Sequence, residues 1–170
     1  MGHLRLNGGP YNLSWPACPT LFLRKQTSRV VTWETQLSFS PTSPRTEAGT
    51  VVWWNYFTYS SLGIRLSPTD SSKRILRFRP AKGEEKTAEL STTDADVKLI
   101  VKCEELKYIF GFVEGEEGET TWIGEVSTDI MTENPPVGAP FTGMLLGLYS
   151  FGEMEPCLVP ADFKYAQFSL

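Results

Sequence analysis

The sequence predicts an all-β protein, a two-sheet antiparallel β-sandwich, and three observations lead there. Val31, Trp33, Thr35, Leu37 and Phe39 alternate with Thr32, Glu34, Gln36 and Ser38, the period-two pattern of a strand with one wet face. Met144, Leu145, Leu146 and Leu148 form an almost continuous apolar run between glycines, as expected of a strand buried on both faces. No segment carries a sustained apolar stripe at helical spacing, and turn residues recur at the strand-to-strand interval of all-β domains. At 170 residues, with 41% hydrophobic and 21% charged side chains, the chain suits one domain over residues 1–170 with a sizeable core, not a disordered polymer.

Each element has its own signal. Leu4 to Leu6 reads as a short strand, closed by Asn7, Gly8, Gly9 and Pro10. Thr20 to Lys25 is a second, with Leu21 and Leu23 on one face and Phe22 on the other. After the strand at Val31, Pro41 and Pro44 break the pattern. Ala48 to Asn55 and Tyr59 to Leu66, joined by a short polar turn, suggest a hairpin that Arg74 to Arg79 extends into a meander. Val97, Leu99, Val101 and Cys103 share one face and Leu106, Tyr108, Phe110 and Phe112 another. Glu104 and Glu105 then read as a two-residue hairpin connection. Trp122 to Val126 follows through the Gly and Glu turn at Glu114 to Glu119. Pro135, Pro136, Gly138 and Pro140 stiffen the loop before Phe141, Met144 to Tyr149 form the central strand, and Ala161 to Phe163 lie beyond a further loop.

Composition excludes several functions. A formal charge of -4 and a pI near 5.1 argue against a nucleic-acid partner, which needs a concentrated excess of Lys and Arg. The one basic cluster, Lys73, Arg74, Arg77, Arg79 and Lys82, reads as a solvated sheet face. Cys18, Cys103 and Cys157 are odd in number and widely spaced, so neither a zinc site nor a disulfide framework is expected, though one pair could bridge in an oxidising compartment. No apolar run approaches a membrane span, so no membrane partner is expected, and Met1 to Ser14 is too polar for a signal peptide. The compartment is not legible. Asn12, Leu13 and Ser14 make a glycosylation triplet of a kind common by chance. His3 has no nucleophile motif near it, which argues against a triad.

Acidic and aromatic residues carry the remaining signals. Glu114, Glu116, Glu117 and Glu119 offer oxygen ligands for calcium but lack the spacing of a calcium loop, and read as a solvated turn. Sugars present apolar C–H faces that stack on flat rings, which makes Trp15, Trp53, Trp54, Tyr56, Phe57 and Tyr59 binding candidates. The neighbours Trp53 and Trp54 must point to opposite faces of a regular strand. One is then core and the other open to a ligand, unless both pack inside. Phe141 sits at the mouth of the central strand, as core or as a ring that reaches a partner.

A series of motifs resembles one family. Gly2, His3, Leu4, Arg5 and Leu6 with Gly8, then Leu23 to Gln26, then Ala48, Gly49 and the aromatic strand to Asn55 are similar to the C-terminal sandwich of family 43 glycoside hydrolases. Phe141, Thr142 and Gly143 with Gly147, Leu148 and Tyr149, and later Ala161, Asp162, Phe163 and Tyr165, fit the same module. The resemblance covers nearly the whole chain. It implies a concanavalin A-like, jelly-roll type β-sandwich that packs on a five-bladed catalytic β-propeller in β-xylosidases and α-L-arabinofuranosidases. The paired carboxylates of glycoside hydrolysis would belong to that propeller, so no catalytic residue is carried over to this chain, and the chain by itself is not expected to be an enzyme. Members are often secreted.

By the same resemblance Phe141, with Thr142, matches the position that closes the substrate pocket of β-xylosidases. The expected ligand is a xylo-oligosaccharide or an arabinose-containing glycan, the expected partner a propeller domain, and no cofactor is expected beyond calcium. The alternatives are an independent xylan-binding module using Trp53, Trp54 and Tyr59, or a truncated structural remnant without a ligand. Two departures stand out. The family sandwich begins with extra strands before the Gly2 to Leu6 motif, whereas Met1 immediately precedes it here, which implies missing first strands and an open sheet edge. Asp162, Phe163, Lys164, Tyr165 and Ala166 stand where the family has Asp-Phe-Asp-Tyr-Phe, which weakens any metal or docking role of the last strand. Asp162 itself reads as a calcium ligand or as a side chain bonded to nearby backbone.

Overall fold

A computed structural model describes residues 2–17, 19–115, 118–133 and 143–169. They form twelve strands and one short helix: β1 (Leu4–Gly8), β2 (Thr20–Lys25), β3 (Val31–Ser38), β4 (Thr46–Trp53), β5 (Tyr59–Leu66), β6 (Arg74–Arg79), β7 (Lys86–Glu89), β8 (Val97–Cys103), β9 (Lys107–Glu114), β10 (Thr121–Ser127), α1 (Thr128–Met131), β11 (Leu145–Gly152) and β12 (Cys157–Ser169). Two six-stranded sheets result, one ordered β1-β12-β3-β8-β9-β10 and the other β2-β11-β4-β5-β6-β7. Neighbouring strands pair antiparallel throughout. The predicted all-β sandwich is the observed fold. No helix among the described residues is long and apolar enough to cross a membrane.

Strand parity builds the core. Trp33 and Leu37 on β3, Leu99 and Val101 on β8 and Phe110 on β9 face Ala48 and Val52 on β4, Leu62 and Ile64 on β5 and Leu146 and Leu148 on β11. One polar stitch crosses this apolar layer. Trp33 Nε1 donates to Thr50 Oγ1 at 2.9 Å, and Thr50 Oγ1 donates to the Gly147 carbonyl at 2.9 Å, so both of these buried donors are satisfied.

Four sequence expectations change. The last strand starts at Cys157 and runs for thirteen residues, bent by a register shift between Phe163 and Tyr165. β7 and α1 were not foreseen, because β7 carries only charged, small and polar residues and α1 is a single turn whose N-cap, Ser127, accepts from the Asp129 amide. The β8–β9 connection takes three residues, so Leu106 is 75% exposed instead of sharing a face with Tyr108. The basic cluster is not one solvated face. Arg74 is buried, and its guanidinium donates to the carbonyls of Phe39, Thr92 and Ala95. Cys103 and Cys157 are buried free thiols. Burial pushes Cys103 up to about 12 and Cys157 above its ordinary value, which leaves both unreactive. Cys18 lies outside the described residues.

Candidate functional site

The outer face of the second sheet is where polar chemistry collects. Glu47, Gly49, Val51 and Trp53 share the outward parity of β4, and register sets Tyr149 beside Gly49, Gly49 beside Gly63, and Gly63 beside Arg77. The paired glycines leave a trough across the middle of the sheet. A Cβ at Gly63 would lie 2.1 Å from Tyr149 Oη and 2.9 Å from Glu47 Oε1, so Tyr149 reaches Glu47 only because that position is bare. The Tyr149 hydroxyl donates to Glu47 Oε1 at 2.6 Å.

Glu47 is 1% exposed, and its other oxygen, Oε2, has no hydrogen-bond partner. Two guanidinium groups face that oxygen, Arg77 Nη1 at 3.3 Å and Arg65 Nη1 at 3.6 Å. Both also face Glu153 at 3.7 Å. Arg77 and Arg79 share Glu85, at 3.3 and 3.7 Å. Burial pushes the Glu47 carboxyl above its ordinary value, opposed by Arg77, by the Tyr149 bond and by Arg65. Burial and the adjacent Glu47 hold the Tyr149 phenol proton well above the usual tyrosine range, which keeps Tyr149 a donor.

Residues before β2 cross over this face. Leu13 is buried against Val51, Tyr59, Tyr149 and Phe151. The crossing is anchored by the Gly152 amide donating to the Gly9 carbonyl at 2.8 Å and the Met154 amide to the Pro10 carbonyl at 3.0 Å. Under it lies a cavity of about 90 Å³ lined by polar groups of Asn12, Ser14, Glu47, Ser61, Arg77 and Arg79, with Tyr59 among its walls.

The candidate aromatics divide. Trp53 is half-buried on the outer face and stacks on Tyr59 with ring centroids 5.4 Å apart. Tyr59 is buried, covered by the Arg79 guanidinium 4.3 Å from its ring centre, and its hydroxyl shares a 2.8 Å hydrogen bond with Ser14 Oγ. Trp54 lies just past the end of β4 and is buried, so one of the tryptophan pair is enclosed and the other partly open. Phe57 and Trp15 are exposed, Phe57 against Tyr56 and Trp15 against Tyr11 at 5.5 Å.

Phe141 and Thr142 lie outside the described residues. Gly143, which follows them, takes a left-handed φ of 70° that few residues other than glycine adopt. Met144 then lines a groove of about 340 Å³ with Gln26, Arg29, Glu104 and Tyr108 at the end of the sandwich. Asp162 receives two charge-assisted bonds, from Arg5 Nε and Nη2, each at 2.7 Å, with His3 at 3.4 Å. Among the described residues both carboxylate oxygens are engaged by the Arg5 guanidinium. Glu114 accepts from the Ser91 amide and hydroxyl at 2.8 Å, and Glu116 and Glu117 lie outside the described residues. Among the described residues no group of three or more His, Cys, Asp and Glu side chains could hold a metal ion.

The sequence does not mark Glu47, Ser61 or Arg65 as site residues, and it shows Tyr149 only as a motif residue of the central strand. A signal was there: a carboxylate in a strand otherwise rich in apolar residues is costly to bury unless partnered, and Glu47 is followed by Ala48, Gly49, Thr50, Val51, Val52 and Trp53.

Two packed antiparallel sheets with this strand order define a concanavalin A-like β-sandwich. Over residues 1–169 the chain matches the family described as the β-xylosidase C-terminal concanavalin A-like domain, and it belongs to that family of GH43 modules. Solved structures agree. The Bacteroides ovatus xyloglucan PUL GH43B superposes with a TM-score of 0.86 at 26% identity, covering 99% of this chain and 32% of its own. A xylan β-1,4-xylosidase from Bacillus halodurans gives 0.82 at 23% identity, covering 99% and 33%. The GH43 BlXynB protein from Bacillus licheniformis gives 0.82 at 17%, covering 98% and 32%. The chain therefore spans about a third of the length of these three proteins.

Proposed function

We propose that this chain is a noncatalytic accessory module of a family 43 glycoside hydrolase, helping to shape a xylo-oligosaccharide or arabinoside pocket whose catalytic acids sit on a separate β-propeller. One observation carries the reading. A family defined as the C-terminal domain of β-xylosidases accounts for residues 1–169, while nearly all of the chain overlays only 32% of a GH43 protein. The remainder of such a protein is the natural bearer of the chemistry, and Phe141 and Thr142 are the contribution of the sandwich to the pocket.

Incubation of the pure chain with nitrophenyl xyloside and nitrophenyl arabinofuranoside should give no turnover, and robust hydrolysis would overturn the noncatalytic assignment. In a chimera where this chain replaces the matching third of the Bacteroides ovatus protein, Phe141→Ala should raise KM for short oligosaccharides several-fold. Unchanged kinetics would remove Phe141 from the pocket. A second reading, binding of xylan by the sandwich itself, is supported by the half-buried Trp53 ring stacked on Tyr59. Trp53→Ala should then abolish retardation in xylan affinity gels.

A further inference from the structure

We propose that the cavity over Glu47, on the outer face of the second sheet, binds the hydroxyl-rich end of a neutral saccharide. This deepens the carbohydrate-binding reading by naming a place and a ligand chemistry, and it is independent of the Phe141 pocket. Glu47 is among the residues that line the cavity, and its Oε2 is a buried carboxylate oxygen without a hydrogen bond. Such an atom is costly to bury unless something donates to it. Beside it stands the Arg77 guanidinium, a donor without acceptor capacity.

The ligand class follows from what can satisfy both groups together. A phosphate or carboxylate accepts only and would meet the Glu47 charge. An ammonium or metal ion would meet Arg77, Arg65 and Arg79. A hydroxyl both donates and accepts, so one hydroxyl can give its proton to Glu47 Oε2 and take one from Arg77. The surrounding charges cancel as well, Arg65, Arg77 and Arg79 against Glu47, Glu85 and Glu153. No net field rewards an ion. Ser61 and Ser14 add hydroxyls to the wall, and Leu13 and Phe151 add apolar surface.

Two features favour a sugar over water. Tyr11 and Trp15, 39% and 44% exposed with centroids 5.5 Å apart, flank in sequence the Asn12 to Ser14 segment that forms one wall. In this proposal, these exposed rings stack on the C–H side of a sugar whose hydroxyls enter the cavity. The volume of about 90 Å³ suits one end of a single unit, so a chain terminus is the expected guest.

The test is a ¹⁵N-resolved NMR titration of the full chain with xylose, arabinose, glucose and xylotriose, with inorganic phosphate as the anionic control. Neutral sugar, and not phosphate, should shift the amides of Ser61, Gly63 and Arg77. Ser61→Ala and Glu47→Gln should each weaken binding about fivefold, as expected for loss of one hydrogen bond. If Glu47→Gln does not fold, Ser61→Ala decides alone. Absence of shifts with every sugar would overturn the proposal and leave water as the occupant. Equal affinity in a folded Ser61→Ala variant, or shifts confined to Trp53 and the Asn55 turn, would overturn it too, the latter while sparing the xylan-binding reading.

Discussion

The two sheets are equal in strand number and opposite in what they do with their outer faces. On the first, β3 turns Thr32 and Glu34 partly to solvent, and Glu34 accepts from Gln167 at 2.6 Å in an exposed bond. On the second, β4 is buried from Thr46 through Val52, its outward residues as deeply as its inward ones. Both strands obey the same pleat. The difference is the covering: residues before β2 lie over the second sheet, and the Gly49–Gly63 trough lets Tyr149 lie flat enough to be covered. A polar group that is incidental on an open face becomes a structural commitment on a closed one, because water no longer solvates it.

Substitutions at matched positions should separate the two faces. The largest effect is expected at Gly63. Gly63→Ala places a methyl on the Tyr149 hydroxyl and should cost about 3 kcal/mol in denaturant unfolding, whereas Thr32→Ala on the open face should change stability by less than about 0.5 kcal/mol. Equal effects would show that the second face is not closed in solution. Next, Tyr149→Phe removes the phenol donor from Glu47 Oε1 and should cost about 2 kcal/mol. Gln167→Ala, which cuts the exposed bond to Glu34, should be near neutral.

A pH profile sharpens the contrast. Burial raises Glu47 in the folded state, so the fold favours its protonated form. That stabilisation is complete below the unfolded glutamate value of 4.5 and is lost as pH rises through the higher folded value. Glu47→Gln mimics the protonated acid, so its melting temperature relative to the parent should climb as pH rises above the unfolded value and level off past the folded one. A flat difference would show that Glu47 is not desolvated.

A smaller effect than at Gly63, Tyr149 or Glu47 is expected at the Asp162–Arg5 pair on the edge of the first sheet. The Arg5 hydrogen bond holds Asp162 below the usual carboxylate range. Its contribution is present above the unfolded value of 3.8 and lost as pH falls through the folded value. Arg5→Ala should therefore lower melting by about a degree at neutral pH and by nothing in strong acid. Calcium or EDTA should leave the wild-type melt unchanged, since Arg5 occupies both oxygens. A calcium-dependent rise would restore a metal role to Asp162.

Much of the fold was legible in the residues. β2, β5 and β6 begin and end where the alternation does, at Thr20 and Lys25, Tyr59 and Leu66, Arg74 and Arg79. The central strand is buried on both faces as its apolar run requires. Arg74 shows a signal present but misread. It shares parity with Leu76 and Phe78, both core residues, so the pleat already turned it inward while its neighbours Arg77 and Arg79 turned out. Charge suggested solvent, and parity was the better guide. β7 and the β8–β9 turn were not legible, because short polar segments acquire strand geometry from a neighbour's free edge and not from their own pattern.

The sequence by itself determined the class of fold, the strands with a clean period of two and the family, since each depends on local alternation or on motifs read in order. Only the tertiary structure decided that Glu47 meets Tyr149, that Gly49 lies beside Gly63, and that residues near the N-terminus roof the second sheet. These depend on register between strands as far apart as residues 47 and 149, and on which face another segment covers. No local pattern encodes that pairing, because the free energy that selects it comes from burying whole faces at once.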